Sequence, residues 1–330
     1  MAKISVLVAV YNTAPFLPQC LDSLLSQTLE DMEVICIDDA STDNSLDVLR
    51  RYAGRDARVR VIALDENRGQ AHARNVGLSC ATGDYITFVD SDDWLSSDAL
   101  EQVCAAFCQE GVDCVLFRVL YVYAGGRQKA YPMPCFETMS GEEAFRKSLT
   151  WEIHGCYAVR GPIHKAYPYD DSQRAYSDDN TTRIHYYHSR RVACCDGAYY
   201  YRQRPASVTH RASVRRFDFL LANERMRRQL IEIGASDEIL CCYETERWLN
   251  LVGGYLFYYL HRRELSAADR RKGRKIMRHV WQTVNLKQVQ SSLKRKFGYM
   301  PLHCSWLLFR LQEELYFLLR GFAGRNKETM

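Results

Sequence analysis

Ile4-Ser5-Val6-Leu7-Val8-Ala9-Val10-Tyr11 opens the chain as an almost unbroken β-branched and aliphatic run. A run of this length reads as a strand buried on both faces, as in a parallel sheet. Helix and strand then alternate along the chain. Phe16–Gln27 places Leu17, Cys20, Leu21, Leu24 and Leu25 at helical spacing, and Glu33–Asp38 is a second strand. A helix capped by Asp43 or Ser45 runs to Tyr52, then come strand Val59–Leu64, helix Ala71–Ser79, strand Tyr85–Val89, helix Ser97–Glu110 and strand Cys114–Val122. Strict alternation over this length predicts an α/β fold: a mostly parallel sheet with helices on both faces.

Positions 125–210 are irregular and rich in Tyr, His and Arg, with several short elements expected and a strand at Val192–Tyr201. Helical patterns then dominate: Phe217–Gly234, Leu240–His261, Ala267–Leu286 and Trp306–Phe322. The expected division is a domain at 1–214 and a helical region at 215–330.

At 330 residues, 47% hydrophobic and 25% charged, the composition is that of a globular protein. It excludes disordered, collagen-like and membrane-spanning classes, since no apolar run approaches ~20 residues. The N-terminus begins strand-like with no secretory apolar segment, so a cytoplasmic location is expected. The thirteen cysteines contain no Cys-x-x-Cys, and Cys194-Cys195 and Cys241-Cys242 are adjacent. They read as buried, reduced, small apolar side chains. The net charge of +4 divides unevenly: 1–210 carries 21 basic and 28 acidic residues, 211–330 carries 23 and 12. The basic second part should meet something anionic.

Ligands of an open parallel sheet bind beyond the carboxyl ends of its strands. There the chain offers Tyr11-Asn12-Thr13, Asp38-Asp39-Ala40-Ser41-Thr42-Asp43, Asp65-Glu66-Asn67-Arg68-Gly69 and Asp90-Ser91-Asp92-Asp93-Trp94. Three of the four bring carboxylates to one rim. In an extended Asp90-Ser91-Asp92 the two carboxylates point the same way and invite a cation. Oxygen-only ligation suits Mg²⁺ or Mn²⁺, shared with a substrate diphosphate. No G-x-G-x-x-G follows the first strand and no Walker A loop occurs, so a metal on Asp90 and Asp92, helped by Arg74, is the expected phosphate holder.

The segments S-V-L-V-A-V-Y-N, V-I-C-I-D-D-A-S-T-D-N-S, N-R-G-Q-A-H-A-R-N-V-G-L, A-T-G-D-Y-I-T-F-V-D-S-D-D-W and Y-Y-Y-R-Q-R-P-A-S-V-T-H resemble family 2 glycosyltransferases of the GT-A fold, in particular bacterial enzymes of capsule, exopolysaccharide or lipopolysaccharide assembly. The resemblance is dense over 3–110, patchy to 210 and absent beyond about 215. It implies an inverting, metal-dependent transfer from a nucleotide diphosphate sugar, with a UDP-linked donor expected, to a glycan or lipid-linked acceptor. By that resemblance Ala9 and Tyr11 line the base, Asp39 accepts from its N3–H, and Asn67 and Ser91 belong to the nucleotide site. Arg74 reaches the diphosphate, Asp90 meets ribose or metal, and Asp92 ligates the metal. The general base falls in an acidic doublet further on, here Asp178-Asp179, with Asp179 in the base position, Asp178 the alternative and Asp170-Asp171 a rival doublet. Arg202 or Arg204 pairs with phosphate, His210 offers a third metal ligand, and Trp94 is an acceptor platform or a packed anchor.

Two rival readings are an inactive sugar-nucleotide scaffold and a nucleotidyltransferase, the latter lacking its glycine- and lysine-rich loop. Processive relatives carry Gln-x-x-Arg-Trp and membrane helices; their absence predicts one sugar added per encounter. The basic runs at Arg270–Lys275 and Lys294–Lys296, beside apolar runs at 306–309 and 315–319, fit either a membrane surface or helical packing, within the chain or in an oligomer. No nucleic-acid module accompanies the charge.

Overall fold

A computed structural model describes residues 3–134, 136–171, 177–203 and 213–326, with only the backbone of Ser177 and Asp178. The chain divides into two compact units, 1–205 and 206–330.

The first unit contains strands β1 (Ile4–Val10), β2 (Met32–Asp38), β3 (Val59–Ala63), β4 (Tyr85–Phe88), β5 (Trp94–Leu95), β6 (Val112–Val122), β7 (Gln128–Ala130), β8 (Thr138–Ser140), β9 (Tyr157–Arg160) and β10 (Arg191–Arg202). Its helices are α1 (Leu17–Leu25), α2 (Ser45–Ala53), α3 (Gln70–Cys80), α4 (Ala99–Ala106), α5 (Gly141–Leu149), α6 (Gly161–Ala166) and α7 (Ser177–His188). The sheet order is β3-β2-β1-β4-β9-β6-β10-β5, with β7 on β6 and β8 on β10. β3, β2, β1 and β4 are mutually parallel, as are β6 and β10; β9 runs antiparallel between β4 and β6.

Alternation of side chains along the strands decides which helix goes where. Ile4, Val6, Val8 and Val10 of β1, with Val34 and Cys36 of β2, face a core that includes Leu17, Leu21 and Leu24 of α1 and Leu49 of α2. The opposite face meets α3. A Cβ on Gly77 of α3 would lie 2.6 Å from Ile37 Cδ1 and 3.2 Å from Leu7 Cδ2, so this glycine permits the close helix–sheet approach. Helices therefore cover both faces, as expected. The loop Ala81-Thr82-Gly83 is tied to the sheet by the Glu33 carboxylate, which accepts from Ser5 Oγ, Thr82 N and Thr82 Oγ1, all at 2.7 Å.

The second unit has a 3-10 turn (Val214–Phe217) and helices α8 (Asp218–Glu232), α9 (Asp237–His261), α10 (Ala267–Thr283), α11 (Ser291–Lys294) and α12 (Trp306–Phe322). Ser236, Ser266 and Ser305 cap α9, α10 and α12, each hydroxyl accepting the N–H three residues on. Trp248, Tyr255, Trp281, Phe309 and Phe317 fill the core. Both indoles are satisfied, Trp248 donating to Tyr299 O at 2.7 Å and Trp281 to Pro301 O at 2.8 Å.

Two expectations need correction. Asp90-Ser91-Asp92 is not extended: Asp93 N donates to Asp90 O at 2.9 Å, closing a turn over 90–93. The twelve described cysteines are all free, but only Cys20, Cys36, Cys104 and Cys114 are buried, and Cys108 and Cys304 are exposed.

Candidate functional site

Three strands end in loops that lace together. At the end of β1 Asn12 adopts φ 53°, and at the end of β2 Ala40 adopts φ 57°. Such conformations cost energy for a residue with a Cβ and persist where surrounding contacts fix them. Here Asn12 Oδ1 accepts from Thr42 N at 2.8 Å, Asn12 N donates to Ser41 Oγ at 3.1 Å, and Thr13 N donates to Ser45 Oγ at 3.0 Å. Thr13 Oγ1 then donates to Ser91 Oγ at 2.9 Å, joining this pair of loops to the one after β4. Ala9 lies at the buried end of β1, while Tyr11 beyond it is 46% exposed.

Asp39 is buried, and its carboxylate organises the loop before α3. Oδ2 accepts from Asn67 Nδ2 at 2.9 Å and from Gly69 N at 2.8 Å, and Oδ1 accepts from Arg68 N at 2.9 Å. Gly69 sits at φ 98°, a backbone conformation that glycine adopts without penalty. A carboxylate offers about four acceptor positions, so these three bonds leave one on Oδ1.

The acidic turn 90–93 is held from the far side of the sheet. Tyr199 of β10, fully buried, accepts from Asp90 N at 3.1 Å and donates to Asp93 Oδ2 at 3.1 Å. Arg202 N donates to Asp93 Oδ1 at 2.8 Å, and Arg202 Nε to Asp92 O at 2.7 Å. The Arg202 guanidinium also donates to Gln19 Oε1 and lies 4.6 Å from the Trp94 ring, which stacks on Tyr200 at 5.3 Å. Arg202 and Trp94 are thus built into the wall that positions the acidic turn. Asp90 Oδ1 accepts from Arg74 Nη2 at 2.6 Å and from Gln70 Nε2 at 2.7 Å, both from α3. Arg74 is buried and packs over Phe88 at 4.0 Å.

Burial, and then the charges of Asp90 and Asp92, push the Asp93 carboxyl well above the usual carboxylate range. Asp93 is thus the buried acid of the turn, while Asp90 and Asp92 are partly exposed. Among the described residues no three His, Cys, Asp or Glu side chains converge as a metal site. Asp90 and Asp92 are a partial set of hard oxygen donors, of the kind that Mg²⁺ or Mn²⁺ completes with water and phosphate oxygens. The oxygen-only donors fit such an ion.

Asp179 is half-buried in the first turn of α7 and borders a narrow crevice with Trp151, His154 and Arg183. α7 is fixed by His185, whose Nδ1 lies 2.6 Å from Tyr157 Oη and whose Nε2 lies 2.8 Å from Tyr167 O. Burial pushes His185 down to about 4, so its ring is neutral and structural. Tyr157 in turn packs edge-on against Phe88 at 6.0 Å, which connects α7 to the strand leading into Asp90. Asp171, half of the rival doublet, has Oδ2 3.1 Å from His72 Nδ1 on α3. Arg204 and His210 lie outside the described residues, as does the side chain of Asp178.

Sequence reasoning missed Asp93, Tyr199 and Gln70. The third acid of Asp90–Asp93 and the Tyr199–Tyr201 run on a strand were the available signals, but their meeting spans more than a hundred residues.

The family model described as Glycosyl transferase family 2 matches residues 5–167, which includes the Asp39 and Asp90 loops and stops short of Asp179 and Arg202. Glycosyltransferase GlyG of Streptococcus pneumoniae serotype 4 is 28% identical over 222 residues, covering 62% of this chain and 72% of that protein. The poly(ribitol-phosphate) beta-glucosyltransferase of Bacillus spizizenii is 48% identical over 101 residues, covering 30% of this chain and 16% of that much longer protein. Among solved structures, S. aureus TarS 1-349 in complex with UDP-GlcNAc superposes with a TM-score of 0.78 at 22% identity, covering 96% of this chain and 92% of that one; the likeness is one of fold.

Proposed function

The chain belongs, through residues 5–167, to glycosyl transferase family 2, and from that premise we propose that it moves a sugar, with inversion and one residue per encounter, from a UDP-linked donor to a hydroxyl of a surface glycan or its lipid-linked precursor. The observation that carries this reading is the acidic turn 90–93, pinned by Tyr199 and Arg202 and joined through Ser91 and Thr13 to the loops around Asp39. A nucleotide whose base meets Asp39 would have its diphosphate near Asp90 and Asp92. The name of the TarS complex supports UDP as the nucleotide, and the names of the relatives support a glycan or glycopolymer acceptor.

In this reading the free acceptor position on Asp39 Oδ1 takes the N3–H of uracil. A cytosine ring, which has no N–H there, would leave a buried carboxylate short of a donor, and this gives base selectivity. Tyr11 offers its ring face to the base, beside Ala9 and Asn67. Asp90 and Asp92 would hold Mg²⁺ or Mn²⁺, which when bound neutralises charge on the departing diphosphate. Arg74 and Gln70 keep the Asp90 carboxylate aimed, and Arg202 holds the backbone of Asp92. Asp179 removes the proton of the attacking hydroxyl, a contribution of about 10²–10⁴ in rate. Trp94, already stacked on Tyr200, shapes the acceptor side as an anchor. The reaction would run at the cytoplasmic side, where nucleotide sugars are made.

The reading is tested by thermal shift against a set of nucleotide diphosphate sugars with Mn²⁺, followed by transfer and hydrolysis assays on those that bind. A ligand at a hundred times its Kd adds about 2.7 kcal/mol of stability. Stabilisation by UDP-sugars, with UDP released on adding acceptor, is expected. Binding without turnover under any condition would favour an inactive scaffold, and release of pyrophosphate a nucleotidyltransferase.

A further inference from the structure

α12 leaves an unusual surface. Leu307, Leu311, Leu315, Leu318, Leu319 and Phe322 are between 46% and 83% exposed. On a helical wheel they occupy one arc of about 120°, over a helix about 25 Å long, and no charged residue interrupts the arc. The opposite arc, with Phe309, Glu313 and Phe317, is buried in the unit. A stripe of this kind left open to water marks a surface that something covers.

The border of that stripe says what. Glu314 lies on α12 next to the leucine arc, and its carboxylate holds Arg262 Nη1 at 2.6 Å. Arg262 is one wall of an open surface groove of about 590 Å³ formed where α9 runs into α10. Arg263, Arg270, Arg271 and Arg274 complete its charged lining, with no carboxylate among the lining residues. Two of these guanidiniums are fixed for reception: Arg270 Nη1 donates to Arg262 O and Arg274 Nη1 to Tyr258 Oη, each at 2.9 Å. Arginine forks of this sort suit phosphate oxygens. Lys272, Lys275 and Arg278 add exposed positive charge along α10.

We infer that this unit docks on an anionic phospholipid surface, with the leucine face of α12 entering the acyl boundary and the open arginine groove receiving a headgroup phosphate. An apolar helical face with a basic rim is the pattern of interfacial attachment. A second copy of the chain fits less well, because it would bring another set of the same guanidiniums to the rim. No helix among the described residues is long and apolar enough to cross a membrane, so the contact is peripheral. The inference does not rest on the transferase reading, and it is measured with no donor or acceptor present.

The test is sedimentation of the full chain with vesicles of phosphatidylcholine containing about one third phosphatidylglycerol, against vesicles of phosphatidylcholine alone. The protein should pellet with the anionic vesicles and be released by salt. Leu311→Glu with Leu318→Glu should weaken binding at least tenfold, and Arg263→Gln with Arg271→Gln by about fivefold per charge removed. All four positions are exposed, so far-ultraviolet circular dichroism and the melting temperature should be unchanged. Failure to pellet with either vesicle would overturn the inference. So would equal binding to neutral vesicles with the arginine variant unaffected, or a dimer in light scattering that Leu311→Glu converts to monomer.

Discussion

Replacing Asp39 by Asn removes one charge and keeps the shape, so its effect isolates what the carboxylate does. Oδ2 accepts two N–H groups and Oδ1 one. The amide has a single acceptor oxygen, so its NH₂ must occupy one of these places. Putting it at Oδ2 would oppose two donors; putting it at Oδ1 opposes only Arg68 N. The second arrangement costs least, one charge-assisted bond, or about 1.5–3 kcal/mol. It also turns an N–H toward the acceptor position proposed for the uracil N3–H, so the base is met by a donor. UDP affinity should therefore fall at least tenfold, since about 1.4 kcal/mol is a factor of ten. Titration calorimetry with UDP and Mn²⁺ measures the affinity, and amide hydrogen exchange reports release of residues 67–69. Unchanged UDP affinity would refute the role of Asp39 in base recognition, and unchanged exchange would refute its hold on the loop.

Other changes probe the acidic turn, the base and the second unit. Asp92→Ala should abolish metal-dependent turnover while leaving the melting temperature of the ligand-free protein intact; a wild-type rate with Mn²⁺ would remove the metal from this turn. Asp179→Asn should keep UDP-sugar binding and lower kcat for transfer by about 10²–10⁴, and an unaffected kcat would move the base elsewhere. Tyr199→Phe strips the buried hydroxyl that bridges Asp90 N and the buried Asp93 carboxylate, and should lower stability by about 1–3 kcal/mol; denaturant unfolding would show whether it does. Burial pushes Glu313 in the second unit from the ordinary 4.5 up to about 8. Below pH 4.5 it is neutral both folded and unfolded, so stability is full there. Between about 4.5 and 8 only the unfolded chain ionises, and stability falls, by roughly 5 kcal/mol at the most. Melting temperature should thus drop from pH 5 to pH 9 in the native chain, and Glu313→Gln should flatten that drop; parallel profiles would show that Glu313 ionises freely.

The strands and helices of the first 122 residues were legible because their signals are local. Ile4–Val10 alternates between two buried faces, and α1 repeats its leucines every third or fourth residue; neither needs a distant partner to be read. α12 was read to the residue, Trp306–Phe322, because its apolar residues run through the whole helix. That same density hid the difference between its two sides: Phe309 and Phe317 pack inward while Leu311 and Leu318 stay in water. Composition cannot separate an inner leucine from an outer one when both arcs are apolar.

The acidic rim was likewise visible in the order of residues, since a strand's carboxyl end is a place the pattern itself marks. Tertiary structure alone decided which acid does what. β9 enters antiparallel between β4 and β6, and β10 then brings Tyr199 and Arg202 against a turn whose residues lie more than a hundred positions earlier. That contact makes Asp93 an internal strut and leaves Asp90 and Asp92 at the rim. Side-chain type and spacing are properties of a segment; burial, partner and charge balance belong to segments that meet only once the chain has closed on itself.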